Sequence, residues 1–117
     1  MTPDEMRDRT KRFAVRILKL ADALPRSMSG RTIAAQLARS GSSVAANYRA
    51  ACKARSKKEF IAKLGIAEEE ADETQFWLEL IQDAELLSPG RLTPLQKEAR
   101  ELTAIIAASR ISASKNQ

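Results

Sequence analysis

The side chains best suited to chemistry in this sequence are cations that recur at helical spacing. Along residues 9–19, four of them are separated by 3, 4 and 3 positions, which places them on one stripe of a helix: Arg9, Arg12, Arg16 and Lys19. A second group follows in residues 49–58: Arg49, Lys53, Arg55, Lys57 and Lys58. Such clusters neutralise phosphates and release counterions, which gives salt-sensitive binding. Both groups are candidate nucleic-acid-binding residues; the alternative is an ordinary solvated basic face.

Aromatic side chains that could stack on unpaired bases are scarce near these cations. Tyr48 adjoins the second group, and its spacing places it on a buried stripe. Single-strand binding usually depends on base stacking. The composition therefore favours recognition of the backbone or shape of a structured RNA.

The charge of the chain is unevenly distributed. Residues 1–63 carry 15 Lys and Arg against 5 Asp and Glu, a net charge of +10, whereas residues 64–117 have a net charge of −5. This division allows two interpretations. Either the basic half binds nucleic acid, or the two halves neutralise each other within the bundle or between subunits.

No combination of residues predicts catalysis or metal binding. The acidic run Glu68, Glu69, Glu70, Asp72 and Glu73 has no histidine to complete a di-metal bundle site, because the chain contains none. Cys52 is the only cysteine, so it cannot form an intramolecular disulfide and has no histidine to activate it. We predict a non-enzymatic protein with no cofactor, no metal and no small-molecule substrate.

The charged N-terminal segment does not resemble a secretory signal, and no apolar run approaches the ~20 residues of a membrane span. These features predict a cytoplasmic protein without a membrane partner.

Apolar residues recur at spacings of 3 and 4 along most of the chain, which predicts four amphipathic helices at about 4–24, 31–54, 57–86 and 94–111. The third helix begins with a capping box formed by Ser56 and Glu59, and the fourth with Thr93 as N-cap and Pro94 at the first helical position. The tail 112–117 should be frayed. Gly41 within the second helix indicates a close approach by a neighbour. We predict one all-α domain over residues 1–117, an antiparallel up-down-up-down four-helix bundle.

Several apolar residues lie off the core stripes, among them Leu18 in the first helix and Trp77 and Leu80 in the third. A monomeric bundle needs one apolar face per helix, so this surplus indicates self-association. The alternative is a wider core stripe.

The middle of the chain carries a family resemblance. It is found in residues 36–40 (QLARS), 43–49 (SVAANYR), 56–60 (SKKEF), 64–67 (LGIA) and 70–74 (EADET), followed by Trp77 and Leu78. In these residues the chain resembles the bacterial four-helix-bundle proteins that intervening sequences within 23S ribosomal RNA genes encode. It is also similar to the accessory proteins of diversity-generating retroelements.

The resemblance implies an antiparallel bundle that assembles into ring-like homopentamers. In the retroelement proteins, a basic ring surface engages nucleic acid and a reverse transcriptase. Ala50 stands where the family usually has a glutamate shortly after the asparagine of its second helix, so a carboxylate partner for Arg39 or Arg49 is missing there. The expected subunit contacts are Leu18, Arg39, Asn47, Trp77 and Leu80.

Two functions remain open from the sequence. The first is an oligomeric accessory protein that binds structured RNA or a nucleoprotein complex through the basic residues. The second is a scaffold subunit in which the basic half of one chain meets the acidic third helix of a neighbour.

Overall fold

The computed structural model describes residues 1–116 as four helices joined by short loops. They are α1 (Pro3–Asp22), α2 (Met28–Cys52), α3 (Lys57–Asp83) and α4 (Pro89–Lys115). Each helix packs on the next along the chain, and α4 returns to α1, which closes an antiparallel bundle of 47 × 21 × 20 Å. The predicted four-helix bundle is confirmed. Gln117, the last residue of the predicted domain and tail, lies outside the described residues.

Side chains cap the first three helices. Thr2 and Glu5 form a capping box at α1, with two hydrogen bonds of 3.1 Å. At α2, the hydroxyl of Ser27 accepts from the Gly30 N–H, so this helix begins three residues earlier than the predicted position 31. Ser56 caps α3 by accepting from the Glu59 N–H, as predicted. The return bond differs, because the Glu59 carboxylate accepts from the Arg55 N–H.

The predicted start of the fourth helix was wrong. α4 begins at Pro89, and Pro94 lies inside it. Thr93 is not an N-cap: its hydroxyl donates to the Pro89 carbonyl within the first turns. Pro89 takes the first helical position, where a missing N–H has no cost. The helix also continues to Lys115, so the predicted fraying from residue 112 was wrong for residues 112–115.

α3 ends earlier than the predicted position 86. Its last helical residue is Asp83, and Glu85 adopts a left-handed conformation with φ of 55°. The Leu86 N–H then bonds back to the Ile81 carbonyl at 3.0 Å. This is the hydrogen-bond pattern of a left-handed helix end, here made by a glutamate rather than the usual glycine.

The core is aliphatic apart from Phe13 and Tyr48, and it includes one close helix contact. A Cβ atom on Gly41 would lie 2.5 Å from Ile17 Cγ2 and 2.9 Å from Ile17 Cβ, so only glycine allows α1 and α2 to pack this closely. Between α2 and α3, the buried Thr74 hydroxyl lies 2.9 Å from that of Ser40. Buried hydroxyls need such partners because an unpaired one is costly. The predicted close approach at Gly41 is confirmed.

Candidate nucleic-acid interface

The outer side of α1 displays three cations, Arg12, Arg16 and Lys19, which we call the α1 cations. The buried residues Phe13 and Ile17 alternate with them and fix this side of the helix toward solvent. All three are exposed, and none lies within 4.0 Å of a carboxylate in residues 1–116. These side chains are free to bind an anion.

Arg9 belongs to the same sequence stripe but has a different environment. Its guanidinium donates to Glu98 at 2.6 and 2.8 Å and to Glu101 at 3.1 Å, which joins α1 to α4. The hydrogen bonds from Arg9 lower the pKa of Glu98, although burial opposes them, and the same pair raises the pKa of Arg9. Arg9 therefore stabilises the bundle and is not part of the free basic surface.

The second predicted group lies at one end of the bundle, where α2 gives way to α3. All five members, the junction cations, are exposed: Arg49, Lys53, Arg55, Lys57 and Lys58. Lys57 also donates to the Asn116 carbonyl at the end of α4. Within residues 1–116, none of the five forms an ion pair with a carboxylate. Because α1 begins and α4 ends at this end of the bundle, the junction cations lie at the same end as the first residues of α1 and the last residues of α4.

A groove between α1 and α2 includes one junction cation, Arg49, and Lys11, which adjoins Arg12 in the sequence. It encloses about 220 Å³, and it is lined by Arg7, Asp8, Lys11, Ala45, Ala46 and Arg49. Lys11 was absent from the predicted binding residues, although its spacing of four from Arg7 was visible in the sequence. Its position opposite Arg49 was not visible, because it depends on how α1 and α2 pack.

The opposite corner of the bundle is acidic. The outer side of α3 exposes four carboxylates together with an aromatic ring: Glu69, Asp72, Glu79, Asp83 and Phe76. α3 packs on α2 and α4 and not on α1. The cationic outer side of α1 and the acidic outer side of α3 therefore point in opposite directions.

Three of the predicted subunit-contact residues lie at the edge where α2 meets α3. Arg39 is ion-paired with Glu70 at 2.9 Å and with Glu73. The Trp77 indole donates to Glu73 at 2.8 Å, and this bond is the main reason that the pKa of Glu73 is lowered. Leu80 is half-buried against the core. Arg39 therefore has two carboxylate partners on α3, although Ala50 stands in place of the glutamate expected after Asn47 in α2.

The remaining two predicted contacts lie on the sides of α1 and α2. Leu18 is 43% exposed, whereas the Asn47 amide donates within its own helix to the Ser43 carbonyl and hydroxyl at 2.9 and 2.8 Å. That these five residues contact another subunit stays a prediction.

A cavity of about 500 Å³ opens at the junction end and is lined partly by Tyr48, Cys52, Phe60 and Lys57. Burial raises the pKa of Tyr48 from its ordinary value of 10.0 to about 12. Cys52 is half-buried and packs against the core. In the described part of the chain, no three His, Cys, Asp or Glu side chains are arranged to hold a metal ion. Nor does any described helix have the length and apolarity to cross a membrane.

Comparison with known proteins adds a family. A family model described as 23S rRNA-intervening sequence protein matches residues 5–108. Among solved structures, the chain is similar to a protein with unknown function from the S23 ribosomal protein family of Bacteroides thetaiotaomicron VPI-5482. The two share 33% identity and a TM-score of 0.87, over 94% of this chain and 98% of that one. No curated protein matches the chain.

Proposed function

Since the chain belongs to the 23S rRNA-intervening sequence protein family, we propose that it is a non-enzymatic accessory protein that binds structured RNA. The binding surface consists of the α1 cations and the junction cations. Its place of action is the cytoplasm. The carrying observation is that these eight cations are exposed and free of carboxylate partners in residues 1–116, while Arg9, Arg39 and Arg110 are ion-paired.

The chemistry of this surface suits phosphates better than bases. Each Lys or Arg that contacts a phosphate releases condensed counterions, so affinity falls as salt rises. At the junction end Tyr48 is buried, and Phe60 is half-buried against the core, which limits base stacking there. Phe76 and Trp77 are more accessible, but they lie on α3 beside Asp72 and Glu73, where phosphates are repelled. The RNA is therefore recognised through its folded backbone.

The experiment is a fluorescence-anisotropy titration of an RNA hairpin at about 50 and 200 mM salt, a range over which phosphate contacts lose affinity steeply. The test variant is Arg12→Glu/Arg16→Glu. The matched control is Arg91→Glu/Arg100→Glu, which reverses two exposed arginines on α4.

We expect tight, salt-sensitive binding by the wild type and by the control. The test variant should bind at least about tenfold more weakly, with a log–log salt slope reduced by about 2 because two phosphate contacts are lost. Circular dichroism should give equal helix content for all three proteins. Absence of wild-type binding at low salt, or equal losses in both variants, would overturn the proposal.

A second candidate, a scaffold subunit, is favoured by the opposite charges on α1 and α3. The acidic outer side of α3 in one copy complements the α1 cations of the next, and Phe76 (49% exposed) and Leu18 supply apolar contact. Contacts between two different surfaces generate rings when the rotation closes. The ring-like homopentamer implied by the resemblance would be one such assembly.

Multi-angle light scattering distinguishes the two candidates. If the α1 cations hold the assembly together, Arg12→Glu/Arg16→Glu should dissociate it, and adding Glu69→Lys/Asp72→Lys should restore it. High salt should dissociate the wild type, and RNA binding should be weak. An assembly that survives both high salt and the arginine reversals would exclude this arrangement.

A further inference from the structure

The groove between α1 and α2 is narrow and has cations on both sides, which suits the binding of a chain of phosphates. Its floor is formed by Ala45 and Ala46, whose short side chains leave the helix surfaces open. Lys11 rises from α1 on one side and Arg49 from α2 on the other, and both are exposed. An extended polyanion lying on the alanines would meet a cation on each side.

The close packing of α1 and α2 explains why the groove is narrow. Ile17 contacts the bare backbone of Gly41, which holds the two helix axes together one turn away from Ala45. Helices in contact are commonly 8–10 Å apart. Lys11 on α1 and Arg49 on α2 have side chains long enough to contact a single nucleic-acid strand that lies between the two helices.

We infer that this groove, between Lys11 and Arg49 over Ala46, holds the sugar–phosphate backbone of the bound RNA. The inference rests on the proposed function, and it adds Lys11 and the alanine floor to the binding surface. The groove also continues the α1 cations toward the junction cations, because Arg49 belongs to the latter and Lys11 adjoins Arg12.

One carboxylate opposes this role and provides a sharp test. Asp8 is exposed at the groove wall and forms no ion pair with any cation in residues 1–116. Arg7 is already paired with Asp4 and contributes less free charge. A phosphate in the groove would be repelled by Asp8, so neutralising this residue should strengthen binding.

The experiment compares three variants in the same hairpin titration. Ala46→Glu places a carboxylate on the exposed floor and should weaken binding by about tenfold, since it repels phosphate and neutralises Arg49. Asp8→Asn should strengthen binding by about threefold. Ala35→Glu makes the same change at an exposed alanine of α2 outside the groove, and it should leave affinity unchanged within about twofold.

The outcomes separate this inference from the proposed function. If the wild type binds RNA and depends on Arg12 and Arg16, but Ala46→Glu and Asp8→Asn bind like the wild type, the groove assignment is wrong and the function stands. If the wild type does not bind RNA, both fail. Displacement of the RNA by equal charge concentrations of polyglutamate would also overturn the assignment, because the groove would then select charge without a phosphate backbone.

Discussion

Two regions of α1 carry arginines in different states. On the side facing α4, Arg9 is held by Glu98 and Glu101, with only 20% of its side chain and 16% of that of Glu98 exposed. Three and seven residues further along the same helix, Arg12 and Arg16 are exposed without a carboxylate partner in residues 1–116. Arg9 and Arg16 are seven residues apart and so lie on nearly the same side of the helix. The carboxylates that α4 places against Arg9, and not residue type or helix side, therefore separate a cation that holds the bundle together from one that is available to a ligand.

The largest effect on stability is expected where the inner side of α1 meets α2. Gly41→Ala would force its Cβ into Ile17, and overpacking of a rigid contact costs about 3 kcal/mol, offset by about 1 kcal/mol from the better helix propensity of alanine. Urea unfolding should show a net loss of about 2 kcal/mol.

Gly65→Ala is the matched control, because its Cβ would have one ordinary contact, 3.8 Å from Arg110 Cδ. This variant should be as stable as the wild type or more stable by up to about 1 kcal/mol. Equal losses at the two glycines would contradict the close α1–α2 contact.

A smaller effect should separate Arg9 from Arg12. Arg9→Gln removes a two-pronged, mostly buried ion pair and should lower the free energy of unfolding by about 1 to 2 kcal/mol. RNA affinity should change by less than about threefold, because Arg9 faces α4 and not the ligand. Arg12→Gln should leave the free energy of unfolding unchanged and weaken RNA binding. Weaker RNA binding by Arg9→Gln at full stability would place Arg9 in the binding surface after all.

The smallest effect concerns pH. Because Arg9 lowers the pKa of Glu98 in the folded state, the unfolded state takes up a proton first as pH falls. The stability from this pair is therefore complete above the usual glutamate pKa of about 4.3 and is lost as pH falls through the lowered folded value. The difference in unfolding free energy between wild type and Arg9→Gln should shrink between pH 7 and about pH 3.5. A constant difference would mean that the Arg9–Glu98 pair does not supply it.

The sequence was sufficient for the helices and the buried stripes, because a helix that buries one face needs apolar residues every three or four positions. The close helix approach at Gly41 and the N-cap at Ser56 could also be predicted, since each is a local requirement of backbone geometry. The start of α4 could not be predicted in this way. Thr93 and Pro94 form a valid local signal for a helix start, but Ser88 and Pro89 form a second such signal five residues earlier. The earlier start also brings Leu92 into the core, a gain that depends on tertiary packing.

The candidate site was only partly predictable for the same reason. The spacing of Arg9, Arg12 and Arg16 places them on one stripe, yet it cannot show that Glu98, 89 residues away, forms its ion pair with the first. The groove beside Lys11 likewise arises from two helices far apart in sequence. Local periodicity specifies which side of a helix a residue occupies, and contacts between helices specify which of those residues remain free.

The opposite charges on the outer sides of α1 and α3 make the molecule an electric dipole across its width of about 20 Å. In the field of a polyanion such a molecule rotates before contact, so that its cationic side leads the encounter. Once bound, it would present the carboxylates of α3 to the solvent. A coated RNA would then repel a second RNA strand, so the protein could cover one nucleic acid without cross-linking two of them into an aggregate.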